Sequence, residues 1–200
     1  MSRFWNERYQ GEEYVYGEQP NTFFAAELSK LTPGRILLPG EGEGRNAVYA
    51  ARCGWLADAV DFSEVAREKA LRLAAKQGVR LNYYELTNLE HFIPDHEIYD
   101  AVALIFVHLE PEIRHKFHQR IAKALKPGGH LIAEFFSVNQ IGKSSGGPQN
   151  PLMLYRLNEL IEDFNDLEIK FADAIETQLD EGAHHRGAAS VIRLLAKKGD

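Results

Sequence analysis

The residues best suited to chemistry fall into three groups: a glycine run, one aspartate and a few histidines. The run is Pro39-Gly40-Glu41-Gly42-Glu43-Gly44-Arg45-Asn46. Glycines there permit a tight turn and let a ligand approach the backbone closely. Their spacing is G-x-G-x-G; Arg45 stands where the dinucleotide fingerprint, G-x-G-x-x-G, would place its last glycine. Glu41 and Glu43 put two carboxylates into the loop. A pyrophosphate would meet like charge there, at a cost that rises in a confined cleft. A nucleoside carrying a sulfonium and an α-ammonium would meet favourable partners instead. Glycines by themselves are equally compatible with a plain turn. Asp61, in Ala59-Val60-Asp61-Phe62-Ser63, lies about 20 residues beyond the loop, the spacing at which a carboxylate accepts hydrogen bonds from ribose hydroxyls. Ser63 can cap the helix that follows, which leaves Asp61 free for that role.

His108 ends the most apolar run of the chain, where open α/β sheets present their sites. Two readings stand for it: a general base for an acceptor that must lose a proton, or a hydrogen-bond partner for neighbouring backbone. His184, His185 and Arg186 share a loop before the final apolar segment. Adjacent histidines seldom share one metal and no cysteine or third histidine is close, so no metal site is expected. Trp5, Tyr9, Tyr14 and Tyr16 are candidates for an aromatic lid, since aromatic faces stabilise a cation by about 0.5–2 kcal/mol. For Trp5 and Tyr9 the alternative is plain helix packing, whereas Tyr16-Gly17 reads as a functional turn.

The elements that must position these groups alternate. Arg35 to Leu38, Leu56 to Val60, Val79 to Tyr84, Tyr99 to Val107, His130 to Phe136, Leu167 to Ala174 and Ser190 to Ala196 read as strands. Phe4 to Tyr9, Asn21 to Lys30 with Asn21 as its cap, Asn46 to Cys53, Ser63 to Gln77, Pro111 to Leu125 and Met153 to Phe164 read as helices. On the fourth of these, Glu68 and Lys69 are expected on the exposed side. Lys126-Pro127-Gly128-Gly129 reads as a turn, and Gln140 to Pro151 as a glycine- and serine-rich loop. The alternation predicts an α/β fold: βαβ units forming a mainly parallel sheet with helices on both faces. One domain spans 1–200, with an N-terminal aromatic lid segment at 1–30 and a possible lid loop at 139–151.

Composition narrows the function classes. The 200 residues carry a formal net charge of −6, which works against nonspecific binding to nucleic acid or anionic lipid. Charges interrupt the first residues, so no signal peptide is read there, and no stretch approaches the roughly 20 apolar residues of a membrane span. The single cysteine excludes an intrachain disulfide and suits a cytoplasmic setting.

The loop PGEGEGRN, the strand end VDFS, the strand YDAVALIFVHL and the turn LKPGGHLI stand in the order found in class I S-adenosylmethionine-dependent methyltransferases, which the chain resembles over roughly Phe4 to Lys197. The opening FWNERYQGEEYVYG, the loop LLPGEGEGRN and the tail EGAHHRG look like the tellurite-resistance (TehB-type) and thiopurine methyltransferase-like branch. The resemblance implies a Rossmann-like, seven-stranded sheet whose last strand is antiparallel. It implies a cofactor, S-adenosyl-L-methionine, lying along Gly40, Gly42 and Gly44 with Tyr16 nearby. Asp61 would hold the ribose, with Phe62 beside it; Glu85 and Leu86 would lie near the adenine, and Phe106, Val107 and His108 beside the cofactor. His185 and Arg186 would be acceptor contacts. The family commonly carries an acid two positions before the first glycine; here Leu38 stands there, so the methionine ammonium would fall to Glu41 and backbone carbonyls. The implied reaction is methyl transfer to a small thiol or a chalcogen oxyanion such as tellurite, by a monomer or homodimer. The competing readings are an NAD(P)-binding Rossmann oxidoreductase and a cofactor-binding protein without turnover.

Overall fold

Neighbouring residues of the first strand point into opposite layers: Leu37 is buried with Val60, Val102, Leu104, Phe117 and Ile121, while Ile36 and Leu38 are buried with Phe24, Leu28, Ala47 and Ala59. Continuous apolar runs of this kind belong to strands covered on both faces. The computed structural model describes residues 2–200, with side chains from Phe4 onward; Met1 lies outside the described residues. Its elements are, in order, α1 (Ser2–Tyr9), α2 (Thr22–Leu28), β1 (Arg35–Pro39), α3 (Arg45–Arg52), β2 (Leu56–Asp61), α4 (Glu64–Lys76), β3 (Tyr83–Leu86), β4 (Tyr99–Ile105), α5 (Pro111–Ala124), β5 (Leu125–Phe136), α6 (Leu157–Asp163), β6 (Glu168–Asp180) and β7 (Arg186–Lys197).

The seven strands form one sheet in the order β3-β2-β1-β4-β5-β7-β6. β1 pairs in parallel with β2 and β4, and β7 runs antiparallel to both β5 and β6. The expected architecture is therefore the one observed. Strand order reverses between β1 and β4, the crevice at which open α/β sheets bind ligands. The glycine run follows β1, Asp61 ends β2, and Phe106 follows β4, so all three converge there.

Two caps were legible in advance. Asn21 accepts from the Phe24 amide at 2.8 Å and Ser63 from the Ala66 amide at 3.2 Å, each satisfying an orphan donor of a helix start. Other expectations shift. The third strand lies at Tyr83–Leu86 rather than 79–84, because Val79 returns its amide to Ala74 and closes α4. Lys126 to Gly129 interrupts β5 as a register irregularity against β4 instead of preceding the strand. The expected helix from Met153 divides into a 3-10 turn at Pro151–Met153 and α6, with Tyr155 drawn into a bridge with Ser137. In α4, Glu68 is exposed as expected but Lys69 is fully buried, on the same face as Ala66, Ala70 and Leu73.

Candidate functional site

Gly44 caps α3 with φ at +90° and has no side chain to offer the helix start. Glu41 fills that role: one carboxylate oxygen accepts from the amides of Asn46 at 2.9 Å and Ala47 at 2.7 Å. Burial pushes the Glu41 pKa up to about 8, against the downward pull of the Ala47 amide, Arg45 and the Asn46 amide. Glu43 is committed too. Its carboxylate pairs with Lys69 and accepts the Val15 amide at 2.8 Å. The loop's negative charge is thus partly spent inside the protein, which corrects the picture of two free carboxylates awaiting a cation.

Asp61 is 6% exposed and takes the Gly42 amide on one oxygen at 3.0 Å and the Ser63 amide on the other at 2.9 Å. Burial raises its pKa, opposed by these backbone donors. The Phe62 amide is a third backbone donor, and an ionised carboxylate has about four acceptor positions, so one remains for a hydroxyl donor. Glu41, Glu43 and Asp61 together raise the pKa of Tyr9 and Tyr84, both shifted first by burial. An acceptor-only aspartate beside a close-packed glycine loop, in a field still negative, suits a cationic nucleoside. Phe62 and Leu86 are half-buried at the ends of β2 and β3, and Glu85 is exposed.

Beyond β4 the site becomes aromatic. Phe106 has a positive φ of 56°, unusual for a bulky residue, and its amide donates to the Glu134 carbonyl at 2.8 Å. Its ring stacks on Phe136 at 4.5 Å and meets the edge of His185 at 4.6 Å; Tyr16 lies 4.4 Å from His185. His185 is buried, which lowers its pKa, while Glu181, with a carboxylate oxygen 4.0 Å from Nδ1, pulls the other way. The imidazole is therefore neutral near pH 7. Tyr16, Phe106 and His185 come together in one aromatic cluster.

Two expected catalytic groups are placed otherwise than expected. His108 has both ring nitrogens engaged by backbone: Nδ1 donates to the Met153 carbonyl at 2.8 Å and Nε2 accepts from the Phe136 amide at 3.2 Å. Burial pushes its pKa down to about 4. With no free lone pair it staples the 3-10 turn to β5 and is no general base. Arg186, the first residue of β7, is 77% exposed and pairs with Asp180 at 3.5 Å. His185, in the bend just before β7, is buried while the Arg186 side chain turns to solvent.

Sequence reasoning missed a set of buried polar groups that lock the site's borders. Arg45 pairs with Glu181 at 2.8 Å and donates to the Tyr16 carbonyl at 3.2 Å. Asn21 donates to both Glu134 and Glu181, and Arg193 pairs with Glu134 at 2.6 Å. The loop 139–151 touches the same border: a Cβ on Gly146 would lie 2.6 Å from the His184 carbonyl oxygen and 2.6 Å from His185 Cδ2.

Sheet order, glycine loop and strand-end aspartate together make a Rossmann-like fold of the kind found in class I S-adenosylmethionine-dependent methyltransferases. Residues 36–129 match the family model described as a methyltransferase domain. Among curated proteins the chain is similar to thiocyanate methyltransferase 1 of Brassica oleracea, 28% identical over 64% of this chain and 57% of that one. It is also similar to a probable thiol methyltransferase 2 of Arabidopsis thaliana, 30% identical over 61% of this chain and 54% of that one. The matches thus span little more than half the length of these relatives. Among solved structures, TehB from Haemophilus influenzae superposes with a TM-score of 0.73 at 17% identity, over 98% of this chain and 66% of that one, a likeness of fold.

Proposed function

We propose that this domain transfers a methyl group from S-adenosylmethionine to a small, soft nucleophile, a thiol foremost, with a chalcogen oxyanion such as tellurite as the other candidate. The observation that carries this reading is the junction of a ribose-type carboxylate, Asp61, with an aromatic cluster of Tyr16, Phe106, Phe136 and His185. The names of the two plant relatives support the thiol.

The cofactor, when bound, supplies an activated methyl group on a sulfonium, so the protein chiefly aligns and excludes water. Asp61 accepts from a ribose hydroxyl, Gly40 and Gly42 let the backbone approach, and Phe62 and Leu86 flank the base. With no acid at Leu38 and Glu41 taken up in capping α3, the ammonium falls to backbone carbonyls of the loop. Tyr16 and Phe106 offer ring faces to positive charge. His185, held neutral by burial, can take the proton of a thiol as sulfur attacks in line. A reducing, cytoplasmic setting fits a thiol acceptor.

A thermal-shift experiment tests this. S-Adenosylhomocysteine at about 100 times its Kd should add about 2.7 kcal/mol, which is about 5–10 °C for a domain of this size. NADH should add nothing, and Asp61→Ala should lose most of the gain. Incubation with S-adenosylmethionine and a panel of thiols should then release S-adenosylhomocysteine. Stabilisation by NADH instead, or binding without turnover on thiols, selenite or tellurite, sinks the reading.

A further inference from the structure

Lys69 is 1% exposed in the middle of α4, a position at which a lysine has to find every partner inside the protein. Its ammonium donates to the carbonyls of Gly11 at 2.8 Å, Glu13 at 2.6 Å and Tyr9 at 3.3 Å, and pairs with Glu43 of the glycine loop. The ring of Tyr14 covers it, with the nitrogen 5.1 Å from the ring centre, and the Tyr14 hydroxyl returns a bond to the Lys69 carbonyl at 2.9 Å. Every one of these partners but Glu43 belongs to the stretch 9–14. One residue on, the Val15 amide binds the other oxygen of Glu43, and the Tyr16 carbonyl is taken by Arg45.

The stretch so held crosses the candidate site. A Cβ on Gly42 would lie 2.8 Å from the Tyr9 hydroxyl, so that phenol rests on the glycine loop. Tyr16, at the other end, packs its ring against His185 in the aromatic cluster. Asn6 of α1 receives the Ser63 hydroxyl at 2.6 Å, beside Asp61.

We propose that Lys69 is a positioning residue: by gripping the main chain of residues 9–13 and Glu43 together, it straps the N-terminal arm across the glycine loop and sets how long the cofactor stays bound. It touches neither cofactor nor acceptor; it acts through Tyr9, Tyr16 and Glu43. The inference rests on the methyltransferase reading for its ligand, while the strap itself can be read without one.

The test pairs Lys69→Met with Glu43→Gln, so that no buried charge is left alone. Hydrogen exchange without ligand should lose protection in residues 4–17 and keep it in the sheet. The Kd for S-adenosylhomocysteine should rise at least tenfold, chiefly through faster release, with far-UV circular dichroism unchanged. The exchanged pair, Lys69→Glu with Glu43→Lys, restores the opposite charges but offers no donor to the three carbonyls, and should remain as loose. Should the first pair not fold, Val15→Pro removes one strap bond without touching the ion pair and should shift protection and release in the same direction. Unchanged protection of residues 4–17, or full recovery of release by the exchanged pair, overturns the proposal. Lost protection with no S-adenosylhomocysteine binding even in the unaltered protein leaves the strap standing and overturns the methyltransferase reading instead.

Discussion

A histidine at the end of a central strand carries two meanings that its position alone cannot separate. Only the partners of its two nitrogens decide, and for His108 both are backbone groups, one of them in a 3-10 turn 45 residues away. Contacts that distant leave no local mark in sequence. A buried histidine whose folded pKa is depressed favours folding fully above its unfolded pKa of about 6.5. That share is lost as pH falls toward about 4, because the unfolded chain takes up the proton first. Nuclear magnetic resonance should accordingly find the His108 ring uncharged at pH 5.5, carrying its proton on Nδ1; a midpoint near 6.5 would contradict the staple. Asp61 and Tyr16 were singled out because a strand end and a turn residue announce themselves, and Phe106 came through the family likeness. Lys69 was misplaced although it stands three residues after buried Ala66, in phase with the apolar stripe; charge was weighed above periodicity.

At the scale of elements, the arm and the β6–β7 turn form one border through a close crossing of two backbones. A Cβ on Gly182, whose φ is +81°, would fall 2.6 Å from the Gly17 nitrogen and 2.7 Å from the Val15 carbonyl oxygen. Gly182→Ala therefore combines a strained backbone with a direct clash. Denaturant unfolding should show a loss of about 1–3 kcal/mol, and hydrogen exchange should place the loosening in residues 15–17 and 181–185. A loss spread evenly over the sheet would argue against that border. The strands and most helices were readable from apolar runs and caps, whereas β6 and β7 extend well beyond 167–174 and 190–196. The outer end of β6 does alternate, over Ile175 to Asp180, a signal the sequence reading passed over, whereas that of β7, Arg186 to Ala189, has little pattern of its own and is prolonged by pairing with β6.

For the whole molecule, topology was the firmest part of the reading. The alternation of elements foretold the parallel sheet, and the family likeness supplied its antiparallel member; the observed strand order agrees. Neither could foretell that the glycine loop's carboxylates are spent on a helix cap and a buried lysine, since those partners come from elsewhere in the fold. At a net charge of −6 the molecule lacks the means to release many counterions from a phosphate backbone. Fluorescence anisotropy at 150 mM salt should therefore find duplex DNA bound no more tightly than about 10⁻⁴ M, the weak end of nonspecific association; tighter binding would reopen the question of a macromolecular acceptor.

The grip of Lys69 falls on carbonyl oxygens, which every amino acid possesses. The side chains of Gln10, Glu12 and Glu13 point into water and take no part in it. These positions are consequently free to drift, and a library randomised there should yield mostly working variants, while the spacing between Tyr9 and Tyr14 should tolerate neither insertion nor deletion. What is fastened here is a length of chain, whatever letters it spells.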